Sequence, residues 1–375
     1  MHLYIHVPFC KRRCSYCDFA IAVRKQVPGD EFVETIKREF ELRVGGVDTG
    51  GRLDTLYFGG GTPSLLSNPQ LAELIRFFGA ELGLADGGVE ITVEANPDDV
   101  TEEAVDAWIG AGVNRFSVGV QSLKPNVLEW MHRPHTRDDC FHALHTLTVA
   151  GAESVSVDVI FGLPAELSAD PVADVQRLMD CGPDHFSAYG LTVESGTPLA
   201  KWMNRGAVKS VSDEKYAHEF LQLHDLLTGP GFEHYEVSNY ALPDKRSRHN
   251  QVYWSGKPYL GLGPSAHSFG AGVRRWNLRE WAEYQRAMRT GADPVAGEET
   301  LTPEQRLLER WYLGLRTVNG VRTGERGDPF SATIQAAVDE GWLVVREGRR
   351  VCATPAGWLR LDAIVASLTT SLEGG

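Results

Sequence analysis

Three cysteines, Cys10, Cys14 and Cys17, stand at C-x-x-x-C-x-x-C spacing, so half of the chain's six cysteines fall within eight residues. Thiolates this close suit a soft metal, either zinc or an iron–sulfur cluster. A structural zinc site wants four ligands, and no Cys-x-x-Cys or His-x-x-x-His pair elsewhere in the sequence completes one. A four-iron cluster normally takes four thiolates. Three leave one iron open to a small molecule, much as catalytic zinc sites keep an open position. Cysteines used as core filler are seldom flanked by cations, and Lys11-Arg12-Arg13 lie inside this triplet. The remaining Cys140, Cys181 and Cys352 are scattered singly and read as structural.

These thiols need a scaffold, and the sequence supplies a repeating one. Apolar runs at Leu3–Val7, Leu53–Phe58, Val89–Ala95, Arg115–Val120, Ser154–Gly162 and His185–Leu191 alternate with helical patterns. The helical patterns cover Asp30 to Val44 and residues near 68–83, 101–111, 137–150 and 170–181. Strictly alternating strand and helix implies a parallel sheet with right-handed crossovers, a barrel or most of one, with a flat doubly wound sheet as competitor. Three strands favour the barrel. Val89, Ile91 and Val93 alternate with Glu90, Thr92 and Glu94; Phe116, Val118 and Val120 with Ser117, Gly119 and Gln121; Val155, Val157 and Val159 with Ser154, Ser156 and Asp158. The apolar faces should meet the helices and the polar faces should line a hollow interior, unlike ordinary barrels filled with branched aliphatics. Glu94, Gln121 and Asp158 then stand near the carboxyl ends of their strands, where such folds bind ligands.

Composition narrows the field. At 375 residues the chain can bury a sizeable core in two or three domains. A formal charge of −13 argues against a nucleic-acid partner, because phosphate binding needs a basic face. No run approaches the ~18 apolar residues of a membrane span, and the first strand runs directly into the cysteines rather than forming a signal peptide. A cytoplasmic, reducing compartment is the expectation.

Gly59-Gly60-Gly61-Thr62-Pro63 after the second strand permits close backbone approach and positive φ, so its N–H groups could face an anion. Taken alone it is a tight turn, and without Gly-Lys-Ser/Thr it is no P-loop. Together with the cysteine triplet, whose last member follows the aromatic Tyr16, it resembles the radical S-adenosylmethionine (SAM) family. In that family SAM chelates the open iron and the reduced cluster splits it to a 5′-deoxyadenosyl radical. The resemblance narrows to the branch of the oxygen-independent coproporphyrinogen III oxidases and runs over nearly the whole chain. The residues that carry it are Tyr4–Cys10, Gly59–Pro63, Glu94–Pro97, Gly119–Ser122, Arg133 and Asp158–Pro164. By position, it implies a [4Fe–4S] cluster on Cys10, Cys14 and Cys17, and a SAM site from Tyr4, Tyr16, Gly60, Gly61, Thr62, Glu94, Gln121, Arg133 and Asp158. Asp158 and Gln121 would bond ribose hydroxyls and Arg133 a methionyl carboxylate. Some members seat two SAM molecules.

One position departs from the oxidases, which carry a further cysteine two residues past the last cluster ligand; here it is Phe19. Phenylalanine cannot replace a thiol in proton or hydrogen-atom transfer, which argues against coproporphyrinogen oxidase activity. The Cys-Asp-Phe ending and His249-Asn250-x-x-Tyr253-Trp254 resemble the HemW type of this branch, described as haem chaperones. The resemblance implies binding of haem and delivery to apo-proteins, and leaves room for a homodimer. His249 is the candidate axial ligand, ahead of His6, His234 and His267. The alternative is a radical SAM enzyme, either the oxidase or a two-SAM methyl or methylene transferase.

The expected architecture is thus α/β: a partial TIM-like (β/α)6 barrel over 1–205, an α+β extension with the His-Asn-x-x-Tyr-Trp motif over 206–300, and a small winged-helix-like domain over 301–375. In the last, helices Pro303–Arg316 and Ser331–Gly341 precede a hairpin turning at Glu347-Gly348-Arg349. Its balanced charge suits a cover over the barrel mouth or a partner surface better than DNA. Thr369 to Gly375 should fray.

Overall fold

The computed structural model describes residues 1–44, 51–85, 88–324 and 330–373. Its main sheet has nine strands. In chain order these are β1 (His2–Val7), β2 (Thr55–Gly60), β3 (Glu90–Ala95), β4 (Arg115–Gln121), β5 (Ser154–Phe161), β6 (His185–Gly190), β7 (Glu233–Glu236), β8 (Asn239–Ala241) and β9 (Leu260–Leu262). Their spatial order is β9-β1-β2-β3-β4-β5-β6-β8-β7. Strands β1 to β6 run parallel in succession, β9 adds in parallel beside β1, and β8 and β7 close the other edge antiparallel. No pairing among the described residues joins β7 to β9, so the barrel is partial.

The alternation of side chains acts as expected. Leu3, Ile5, Val7, Leu56, Phe58, Val93, Val118 and Val157 are buried among Phe32, Ile36, Phe78 and Trp108 of the surrounding helices. Each such side chain contributes roughly 1.5–3 kcal/mol when fully buried. On the opposite face, side chains bond between neighbouring strands: the Tyr57 hydroxyl donates to Glu94 at 2.8 Å, the Ser117 hydroxyl to Asp158 at 3.0 Å, and Ser156 pairs with His185 at 2.7 Å.

The helices are Gly29–Val44, Asn68–Leu82, Glu102–Gly110, Arg137–Val149 and Pro171–Met179, close to the expected spans. The side chain of Val44 lies outside the described residues. The second strand runs further than its apolar residues suggest, through Gly59 and Gly60. Gly59 faces the crowded interior, where a Cβ would sit 2.8 Å from the Tyr57 ring and 2.9 Å from Glu94. Three of the strands contributed by 206–300 are woven into the barrel's own sheet, and three more, His267–Gly270, Val273–Asn277 and Val295–Thr300, form a separate antiparallel sheet.

The helix Arg248–Ser255, which carries the His-Asn-x-x-Tyr-Trp motif, plugs the amino end of the barrel. Ser247 caps it, and the Glu90 carboxylate accepts from the backbone N–H groups of Arg248 and His249 at 3.0 and 2.8 Å. A carboxylate at a helix N-terminus complements its unpaired N–H groups and dipole.

The C-terminal part holds helices Pro303–Leu315, Ser331–Asp339 and Leu361–Glu373 and a three-stranded sheet of Val321–Arg322, Arg350–Ala353 and Leu343–Arg346. Two expectations are corrected here. The last helix continues through Glu373, because Ile364 and Leu368 are buried at helical spacing; Gly374 and Gly375 lie outside the described residues. Among the described residues, this part also contributes nothing to the lining of the barrel mouth. It docks beside β7, where the Val318 N–H donates to the Tyr235 carbonyl, the Val237 N–H donates to the Arg316 carbonyl, and Trp358 packs on His234.

Candidate functional site

The cysteine loop is held where the strands point. Its base is closed by the parallel pairing of Phe9–Cys10 with Ala22–Val23. Phe9 is locked edge-on between Phe32 and Trp281. Further along, Lys11 bridges Asp98 and Asp99 at 2.8 and 2.6 Å, Arg12 donates to the Arg133 carbonyl, and the Ser15 N–H donates to the Met131 carbonyl at 3.1 Å. Loop and strand ends enclose a cavity of about 390 Å³, lined by all three cysteines together with Tyr16, Glu94, Gln121, Arg133 and Asp158.

Among the described residues, no three His, Cys, Asp or Glu side chains converge tightly enough for a single metal ion. All three thiols line one cavity, a donor set whose chemistry suits an iron–sulfur cluster with one iron left open. Burial pushes the Cys17 thiol up to about 11 and also raises Cys10, against the hydrogen bond from the Thr62 hydroxyl. Thiols so placed ionise on a metal, which deprotonates them outright.

Around the thiols the cavity wall is polar and strained. Gln121 sits at φ 66°, where the β4–β5 register shifts. A non-glycine residue in that region costs free energy and marks functional positions. Arg133 donates to Asn96 Oδ1 at 2.6 Å and the Gly119 carbonyl at 2.7 Å, and reaches Cys14 Sγ at 3.7 Å. Among the described residues its Nε is buried with no hydrogen-bond partner, beside the cavity it lines. Burial lifts the Glu94 carboxyl to about 7, opposed by the Tyr57 hydroxyl, and lifts Asp158 to about 6, opposed by bonds from Ser187, Ser117 and Ser156.

Of the residues singled out by sequence, Cys10, Cys14, Cys17, Tyr16, Gly60, Gly61, Thr62, Glu94, Gln121, Arg133 and Asp158 line this one cavity. Tyr4 does not; its hydroxyl bonds His6 Nδ1 at 3.1 Å inside the barrel. The glycine turn also differs from expectation. The Gly60 N–H, at φ 108°, donates to the protein's own Glu94 carboxylate at 3.1 Å, and the Gly61 N–H donates to the Val7 carbonyl at 2.8 Å. Both donors are therefore engaged internally, and the turn's close approach serves to seat the cysteine loop. His249 lies at the opposite end of the barrel. It is 1 % exposed, with Nδ1 bonded to Thr55 Oγ1 at 2.7 Å and Nε2 to the Tyr253 hydroxyl at 2.8 Å. Sequence reasoning missed Asn96, Tyr189 and the Tyr57 support of Glu94. The inward period of β2 and β6 was the available signal for the two tyrosines.

A family model described as the Radical SAM superfamily matches residues 4–178. The protein named Heme chaperone HemW in Mycobacterium tuberculosis is 35% identical over 369 residues, covering 98% of this chain and 94% of that one. Radical S-adenosyl methionine domain-containing protein 1, mitochondrial, of Bos taurus is 36% identical over 391 residues, covering 99% and 88%. Among solved structures, coproporphyrinogen III oxidase (HemN) from Escherichia coli, described as a radical SAM enzyme, gives a TM-score of 0.79 over 97% of this chain and 88% of that one. At 21% identity that likeness is one of fold. The chain belongs to the radical SAM superfamily, with proteins named HemW among its full-length relatives.

Proposed function

We propose that this chain is a haem chaperone that carries a [4Fe–4S] cluster on Cys10, Cys14 and Cys17, takes SAM at the barrel mouth, and hands haem to apo-proteins in a reducing compartment such as the cytoplasm. The observation that carries the reading is similarity from end to end to proteins named heme chaperones. Phe19 supports it: 57% exposed at the cavity wall, it stands where the oxidases of the resemblance have a thiol.

When bound, the cluster supplies an open iron for SAM and the electron that splits it. The chain's own groups hold the nucleoside. Glu94, steadied by Tyr57 and Gly60, offers negative charge to an ammonium group, and Arg133 offers its unpaired Nε to a carboxylate. Asp158 and Gln121 face the cavity as acceptor and donor for ribose hydroxyls.

The second reading, a radical SAM enzyme, is favoured by the fold likeness to an oxidase. Anaerobic incubation of the reconstituted protein with coproporphyrinogen III, SAM and reductant separates the two. The chaperone reading predicts no stoichiometric CO₂, and transfer of haem to an apo-haemoprotein when loaded protein is mixed with it. Stoichiometric CO₂ release overturns it.

A further inference from the structure

A second cavity, about 790 Å³, lies at the other end of the barrel and shares no lining residue with the first. It opens between the plug helix Arg248–Ser255, the starts of β1 and β2, and the helix Pro303–Leu315. Its size falls in the ordinary range of ligand pockets, roughly 300–1,000 Å³.

The lining has an unusual charge balance. Lys257, Arg306, Arg310 and Arg322 face it, and among the described residues none of them forms an ion pair. The acids on the same wall are already matched, Asp54 by the Met1 ammonium at 2.7 Å and Glu309 by Arg274. In a chain of formal charge −13, a wall of unpaired cations repels itself unless an anion sits against it. Val252, Trp254, Phe269 and Leu313 add an apolar and partly aromatic patch, beside the polar Gln251, Ser255, Thr317 and Asn319. Arg316 stacks 4.5 Å over the Trp254 ring and fixes that indole in the wall.

One imidazole joins them. His2 lines the cavity, and its Nδ1 lies 3.1 Å from Thr55 Oγ1, which in turn lies 2.7 Å from His249 Nδ1. The hydroxyl has one proton to give. If it bonds His249, His2 holds its proton on Nδ1 and leaves Nε2 as a bare lone pair. That is how metal-binding histidines are oriented by their neighbours.

We propose that this cavity is the cargo site, taking a planar apolar dicarboxylate macrocycle with its carboxylates on Lys257, Arg306 and Arg310 and its iron on His2 Nε2. The assignment rests on the haem reading above and adds the place and the ligand. It puts cargo and cluster at opposite ends of strands whose length, at about 3.3 Å per residue, separates them by roughly 20 Å. The interior links the ends: His2 to Thr55 to His249, whose ring stacks 5.0 Å from Tyr57, which holds Glu94 at the mouth.

The test is ferric haem titration of the full chain, read by Soret absorbance, for wild type, His2→Ala, His249→Ala and the double variant Lys257→Glu/Arg306→Glu. Far-ultraviolet circular dichroism reports folding of each. The site predicts at least a tenfold weaker Kd in the double variant, and no such loss when haem dimethyl ester replaces haem. It predicts that His2→Ala shifts the Soret band and that added imidazole restores it. Wild-type Kd and Soret position in both the double variant and His2→Ala would overturn the site while leaving haem binding intact. A Soret band altered by His249→Ala but not by His2→Ala would overturn His2 as the ligand. Failure of the wild type to bind haem would overturn both the site and the haem reading.

Discussion

Substituting Gly61 tests how the cysteine loop is seated. A Cβ on Gly61 would lie 2.8 Å from the Phe9 carbonyl oxygen, 2.9 Å from the Pro8 carbonyl carbon and 2.9 Å from the Val7 carbonyl oxygen. All three are backbone atoms leading into Cys10, so no side chain can swing aside. The loop must retreat by roughly half an ångström to restore ordinary contact. Overpacking of this kind costs about 1–3 kcal/mol, equivalent to about one to two powers of ten in the equilibrium that keeps the loop in place. We therefore expect Gly61→Ala to lower thermal stability and to bind less iron and sulfide per chain after anaerobic reconstitution. Gly79→Ala is the control: it lies in the helix Asn68–Leu82, and its Cβ would meet only Leu84 Cδ2, at 3.6 Å. A helical glycine-to-alanine change without a clash is stabilising by about 0.5–1 kcal/mol. Wild-type iron content and Tm in Gly61→Ala would refute the argument that this turn seats the loop.

Three further outcomes follow from the same geometry. Burial raises the folded-state pKa of Glu94 from 4.5 to about 7, so the folded cluster-free protein holds a proton that the unfolded chain releases. Its stability should fall as pH rises through that window, by at most on the order of 3 kcal/mol, and Glu94→Gln should flatten the slope seen in denaturant midpoints. His249→Ala removes the imidazole that bonds Thr55 and Tyr253 and stacks on Tyr57. It should cost on the order of 2–4 kcal/mol in urea unfolding, since buried partners are left unmatched. Lys11→Ala breaks partly exposed pairs with Asp98 and Asp99. It should change global stability by less than about 1 kcal/mol, while cluster loss to a chelator quickens because the loop is less tethered.

The barrel was legible because its signals are local. Alternation along β3, β4 and β5 announces one face for helices and one for the interior, and the structure uses both. The cavity was legible for the same reason, since Glu94, Gln121 and Asp158 end those alternations. What was not legible depends on partners far along the chain. The His-Asn-x-x-Tyr-Trp helix owes its position to Glu90, more than 150 residues earlier, which no local pattern announces. Strands β7, β8 and β9 are too short, and in β7 too polar (Glu233, His234, Glu236), to show a period. The glycine turn misled in one respect. Its residue types permit anion binding, but Glu94 and Val7 occupy the Gly60 and Gly61 donors. The second cavity needs the start of β1, the plug helix and the C-terminal helix together, so its cations are dispersed in sequence from Lys257 to Arg322.

The most direct measurement is electron paramagnetic resonance of the reduced, reconstituted protein with and without SAM. A cluster held by Cys10, Cys14 and Cys17 alone presents an open iron to the cavity, so SAM should change the cluster's g-values, and Arg133→Ala should weaken that response. A reduced-cluster signal that is the same with saturating SAM as without it would contradict the site at the barrel mouth.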